Sequence, residues 1–153
     1  MKRQLTASVA VLAAGALCAA PAHAATKKKP APLKKSFAMQ LAPVPDPPQG
    51  TSCTRTALEG ISMHTETVKA KGKGTLFAKV TGFDGDWDIT VADGADGSVI
   101  DVGSGTSTGG GVPQQNATDT VTIKVKKATT FLVRYCNFAG TPQATGSYLF
   151  TYA

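Results

Sequence analysis

The chain has 153 residues, 16 of them Lys or Arg and 10 of them Asp or Glu, for a formal net charge of +6. That length allows at most one ordinary domain. The charge is concentrated at the N-terminal end, and the stretch from Gly50 onward has nine basic and nine acidic residues. A neutral domain lacks the basic footprint on which nucleic-acid binding depends, so nucleic acid is not an expected partner.

Residues 1–24 begin with Lys2 and Arg3, continue through an apolar stretch from Val9 to Ala20, and end in Ala22-His23-Ala24. This is the three-part pattern of a secretory signal peptide. The apolar run falls short of the roughly 20 residues a spanning helix needs, and no second one follows. The expectation is a secreted, soluble mature chain with no membrane span. Leu17 stands before Cys18, where a lipidated cysteine usually follows a small residue.

Residues 25–50 carry six prolines, five lysines (Lys27, Lys28, Lys29, Lys34 and Lys35) and one acid, Asp46. Proline removes a backbone donor and pushes the preceding residue toward extended geometry. This segment is expected to be a basic, Pro-rich, disordered linker, with "SFAMQLA" as a small apolar island. Its lysines are suited to associate with anionic cell-wall polymer.

From residue 51 the pattern turns to period two, and residues 51–153 are expected to form the domain. "ISMHTETVKA" is a weak first strand. "GTLFAKVTG" aligns Leu76, Ala78 and Val80 on one face. "DWDITVAD" aligns Trp87, Ile89 and Val91 on one face and Asp86, Asp88 and Thr90 on the other. A short strand surrounds Val99 to Val102, and "DTVTIKVKK" places Val121, Ile123 and Val125 inward. "TTFLVRYCNF" gives Phe131, Val133 and Tyr135, and "GSYLFTYA" gives Tyr148, Phe150 and Tyr152. Strict alternation bounded by Gly- and Asp-rich turns is the signature of half-buried strands. About seven to eight such strands without a helical period predict an all-β fold, a single antiparallel, jelly-roll-like β-sandwich.

Of the three cysteines, Cys18 leaves with the signal peptide, so Cys53 and Cys136 remain. An even pair in an exported protein implies one disulfide. The chain-entropy model gives about 4.5 kcal/mol for closing so long a loop, as an upper figure.

The order "GTLFAKVTGF", "DGDWDITVAD", "GSVIDVG", "DTVTIKVKKATTFLVRY" and "GSYLFTY" resembles the bacterial pre-peptidase C-terminal domain. That domain is a β-sandwich appended to many secreted peptidases. The resemblance covers about residues 64–153, and "GDWDI", with Trp87 as its core marker, is its strongest part. It implies a bacterial, non-catalytic accessory or binding module. No peptidase precedes the module here, and the Cys53–Cys136 pair is not expected of most members.

The candidate chemistry is thin. His64 is the single histidine after the leader and sits among threonines, as a surface residue would. It lacks the companions that zinc or a Ser-His-Asp triad requires. Asp84, Asp86 and Asp88 have the one-three-five spacing of an EF-hand loop, but Ile89 stands where its glycine belongs and Ala95 where its glutamate belongs. A different oxygen cage leaves these three as candidate calcium ligands, with turn and surface roles as the plainer reading. No other cofactor is expected. Asn116-Ala117-Thr118 is a glycosylation sequon without consequence in a bacterial chain.

The sequence therefore leads to a secreted, monomeric, non-enzymatic module at the cell surface, contacting polymer or protein. Two alternatives stand beside it. One is an inhibitor or partner-chaperone of a separately encoded peptidase, acting through loop 103–113. The other is a small hydrolase.

Overall fold

The computed structural model describes residues 28–45, 56–103 and 117–153. The expected signal peptide, Cys53, most of loop 103–113 and Asn116 lie outside them. Among the described residues there are eight strands and no helix: β1 (Leu33–Gln40), β2 (Met63–Ala70), β3 (Gly74–Phe83), β4 (Trp87–Asp93), β5 (Val99–Val102), β6 (Ala117–Val125), β7 (Thr129–Asn137) and β8 (Gln143–Tyr152). They form two four-stranded antiparallel sheets, sheet A in the order β1-β8-β3-β6 and sheet B in the order β2-β7-β4-β5. Every sequential connection except β4 to β5 crosses from one sheet to the other. Each crossing commits a strand's apolar face to the shared interior, which is the physical reason the alternation is so regular.

The interior is built from the expected positions. Leu76, Val80, Ile89, Val91, Val133 and Phe150 are completely sealed, with Trp87 and Phe131 nearly so. Ile123 and Tyr148, also expected inside, are half-buried and pack on the margin of the core. Trp87 and Tyr135, the two most deeply buried aromatics with polar tips, each find an acceptor. The Trp87 Nε1–H donates to the Thr141 carbonyl at 3.0 Å, and the Tyr135 hydroxyl donates to the Ser147 carbonyl at 2.8 Å. Thr90, assigned to the outer face of its strand, is nevertheless completely buried.

One expectation is corrected. The linker assigned to residues 25–50 contains β1, whose eight residues pair with all of β8 from Leu33–Phe150 to Gln40–Gln143. The reason is a period-two pattern that the lysines and flanking prolines conceal. Leu33, Phe37, Met39 and Leu41 fall on one face, and Met39 and Leu41 are buried in the core. The sandwich thus begins well before residue 51.

Candidate functional site

The acid-rich stretch at Asp84–Asp88 holds the turn after β7 through its backbone carbonyls. The Asp84 carbonyl accepts the Thr141 N–H at 2.7 Å, and the Asp86 carbonyl accepts the N–H groups of Phe138 and Ala139, each at 3.0 Å. The turn is close-fitting because Gly85, at φ +98°, leaves no room for a side chain against the Ala139 carbonyl. Among the described residues no three His, Cys, Asp or Glu side chains are arranged to hold a metal. Asp84, Asp86 and Asp88 are therefore not gathered into a cage of described carboxylates. The loop acids Asp93 and Asp96 serve their own turn, accepting the N–H groups of Ala95 and Ser98.

The buried carboxylate is elsewhere. Asp119, on β6, points inward and is nearly sealed. Its Oδ2 accepts the Ile89 N–H at 2.8 Å across the sandwich, and its Oδ1 accepts the Thr120 N–H at 2.7 Å. Burial pushes its pKa above the usual carboxylate value, and nearby Asp86 pushes the same way, against the two backbone donors. Gly103 lies directly on this carboxylate, where any Cβ would collide with Asp119.

A second ionic group closes the opposite long edge, where β1 of sheet A lies beside β2 of sheet B. Lys35 and Glu66 both sit at inward-facing positions of these two edge strands. The Lys35 Nζ reaches the Glu66 Oε1 and Oε2 at 2.7 and 2.9 Å. His64 Nε2 is 2.9 Å from the same Oε1. Phe37 lies against His64 at 4.9 Å between ring centroids and meets Tyr135 edge-on at 5.3 Å. Burial alone would raise the Glu66 pKa, but the hydrogen bonds from Lys35 and His64 prevail and hold it below the usual value. Burial raises the Tyr135 hydroxyl well beyond its ordinary range, with Glu66 adding to it. His64 is thus a partner of Glu66 and not the solitary surface histidine that its neighbours suggest. An inward charge at an exposed sheet edge also discourages pairing with a foreign strand.

The remaining feature is a difference between the two sheets. The strands of sheet A carry one carboxylate, Asp119, and it faces inward. Their outward positions form ranks such as Ser36–Ser147–Lys79–Thr120 and Thr151–Thr75–Lys124. The strands of sheet B carry Glu66, Asp88, Asp93 and Asp101. The outer face of sheet A is therefore hydroxyl-rich, basic and free of acid. An open depression of about 450 Å³ lies at each end of it. One is lined by Lys73, Thr75, Lys124, Lys126 and Thr151, and the other by Gln40, Gly82, Gln143 and Thr145.

No family model matches the chain, and no curated protein matches it. The sequence alone pointed neither to Asp119 nor to the pairing of Lys35 with Glu66. The one available signal was the inward register of Lys35 in "LKKSFAMQL", where it takes an apolar residue's place between Leu33 and Phe37.

Proposed function

We propose that the chain is an exported, non-catalytic binding module of the pre-peptidase C-terminal type, acting at the cell surface. The observation that carries this reading is how the fold uses its partly or fully buried ionisable groups. Glu66 is held by Lys35 and His64, and Asp119 is held by two backbone N–H groups. A general acid or base needs a free proton-transfer partner in a substrate-sized cleft. Here those groups join one strand to another. The family assignment is supported by the "GDWDI" strand, whose Trp87 anchors the interior, and by the two-sheet antiparallel architecture. The proposed Cys53–Cys136 disulfide is supported by the complete burial of Cys136 on β7.

The test is retention on purified cell wall, comparing residues 25–153 with residues 32–153. The shorter form lacks Lys27, Lys28 and Lys29 but keeps β1 intact. Both forms are expected to bind, the shorter one more weakly, without releasing soluble wall fragments. Release of fragments by either form, or failure of both to bind, would overturn the reading.

A further inference from the structure

We infer that the outer face of sheet A, with the lysine-lined depression at its end, is a docking site for a phosphate-bearing anionic polymer. This rests on the binding-module reading and names the partner's chemistry. The neutral overall charge of the domain conceals the site, because every carboxylate but the inward-facing Asp119 belongs to sheet B, the turns or the connecting segments.

The charge on this face is available for binding. Among the described residues Lys73, Lys124 and Lys126 form no ion pair, and the ion pairs that join described residues to each other converge on Glu66 at the far edge. These three lysines surround one depression, together with the hydroxyl-bearing Thr75 and Thr151. Its volume of about 450 Å³ is ample for a phosphate and its attached unit.

The donor set is suited to phosphate. No arginine lines the depression, and its three lysines are point charges of the kind that commonly bind phosphate. Ammonium point charges with neighbouring hydroxyl donors suit a tetrahedral phosphate, whose oxygens accept from several directions.

The length of the face selects a polymer. β3 runs from the lysine-lined depression at Gly74 to the neutral, amide-lined one at Gly82. At about 3.3 Å per residue that is roughly 25 Å. Lys79 stands outward midway along it, among Ser and Thr hydroxyls. An extended chain with spaced phosphates and hydroxylated units would meet a charge, then hydrogen-bonding groups, then a second recess. Nucleic acid is the less favoured polyanion. It gains much of its single-strand affinity from bases stacking on aromatics, and Phe77 is the exposed aromatic on this face.

Calorimetric titration of the chain from residue 25 with long-chain inorganic polyphosphate, at several salt concentrations, tests this. Three proteins are compared. They are the unsubstituted chain, a face variant (Lys73→Gln, Lys124→Gln, Lys126→Gln) and a charge-matched tail variant (Lys27→Gln, Lys28→Gln, Lys29→Gln). The face variant is expected to bind at least tenfold more weakly. Its log–log salt dependence should be shallower by about 2–3, near one counterion per lysine removed. The tail variant should lose less. Unchanged melting of the face variant would show that the fold is kept. Equal loss in both variants, or loss in the tail variant alone, overturns the site. So does tighter binding of single-stranded DNA or polyglutamate of matched charge. Cell-wall retention that survives the face substitutions sinks only this inference, whereas absence of wall retention in the unsubstituted chain sinks the function above.

Discussion

Asn137 shows how much one side chain can hold. It is fully buried at the end of β7, where its Nδ2 donates to the carbonyls of Leu41, Gly140 and Thr141. Its Oδ1 accepts the Gly140 N–H at 2.7 Å. It therefore fastens the chain after β1 to the turn between β7 and β8, and that turn in turn carries Trp87. Replacing Asn137 by Ala leaves the Leu41 carbonyl and the Gly140 N–H without these partners. The expected cost is about 1–3 kcal/mol, read from the urea midpoint at constant slope. Gly140→Ala should also destabilise, because a Cβ there would stand 2.7 Å from the Trp87 ring and 2.9 Å from the Asp84 carbonyl. Neither residue was legible in the sequence as more than turn composition. Asn137 reaches a partner 96 residues away in sequence, and Asp119 one 30 residues away. No local pattern encodes such a distance. At Asp84, Asp86 and Asp88 the spacing was legible, but not that the backbone carbonyls of Asp84 and Asp86 bind the turn between β7 and β8.

At the scale of elements, the strands β3, β4, β6, β7 and β8 were readable because each crosses to a shared interior and must alternate to do so. β1 was not, because two features that argue for a linker coincide on it. Prolines flank it, and one of its inward positions is a lysine. That lysine is explained only by Glu66, which lies at an equally unfavourable inward position of β2. Each charge is tolerated because the other strand supplies its counterpart, so neither strand is intelligible alone. This makes β1 part of the folding unit, and a truncation series should show it. Starting the chain at residue 32 should leave the melting temperature unchanged. Starting it at residue 42 removes Met39 and Leu41 from the core, strips β8 of one of its two partner strands and leaves Glu66 without Lys35. Burial of the two apolar side chains alone is worth about 3–6 kcal/mol. That is a large part of a small domain's stability, so the shorter chain should be wholly or largely unfolded at 37 °C. A shorter chain that melts like the full one would remove β1 from the domain.

For the molecule as a whole, the acid limb of stability sets the two internal carboxylates against each other. The folded-state pKa of Glu66 is depressed by Lys35 and His64. Its contribution is present above the ordinary carboxylate range and is lost as the pH falls through the depressed value. The folded-state pKa of Asp119 is raised, chiefly by burial and further by Asp86. Its contribution is present below its ordinary value of 3.8 and is lost as the pH rises through the raised one. Asp96, held by Ser98, adds to the direction of Glu66. The unsubstituted chain should therefore lose less stability between pH 6 and about pH 3 than Glu66 alone would dictate. Urea midpoints across that range should separate the terms by their slopes, whatever each substitution costs at neutral pH. Glu66→Gln should flatten the acid fall or reverse it, because the relief at Asp119 remains. Asp119→Asn should steepen the fall, because only the depressed carboxylates remain. Parallel profiles for all three proteins would mean that neither carboxylate changes its proton affinity on folding. The two ionic groups would then be geometry without electrostatic consequence. Opposed slopes would establish that the sandwich joins its sheets through charges of opposite pH dependence, Glu66 at the β1–β2 edge and Asp119 between β6 and β4.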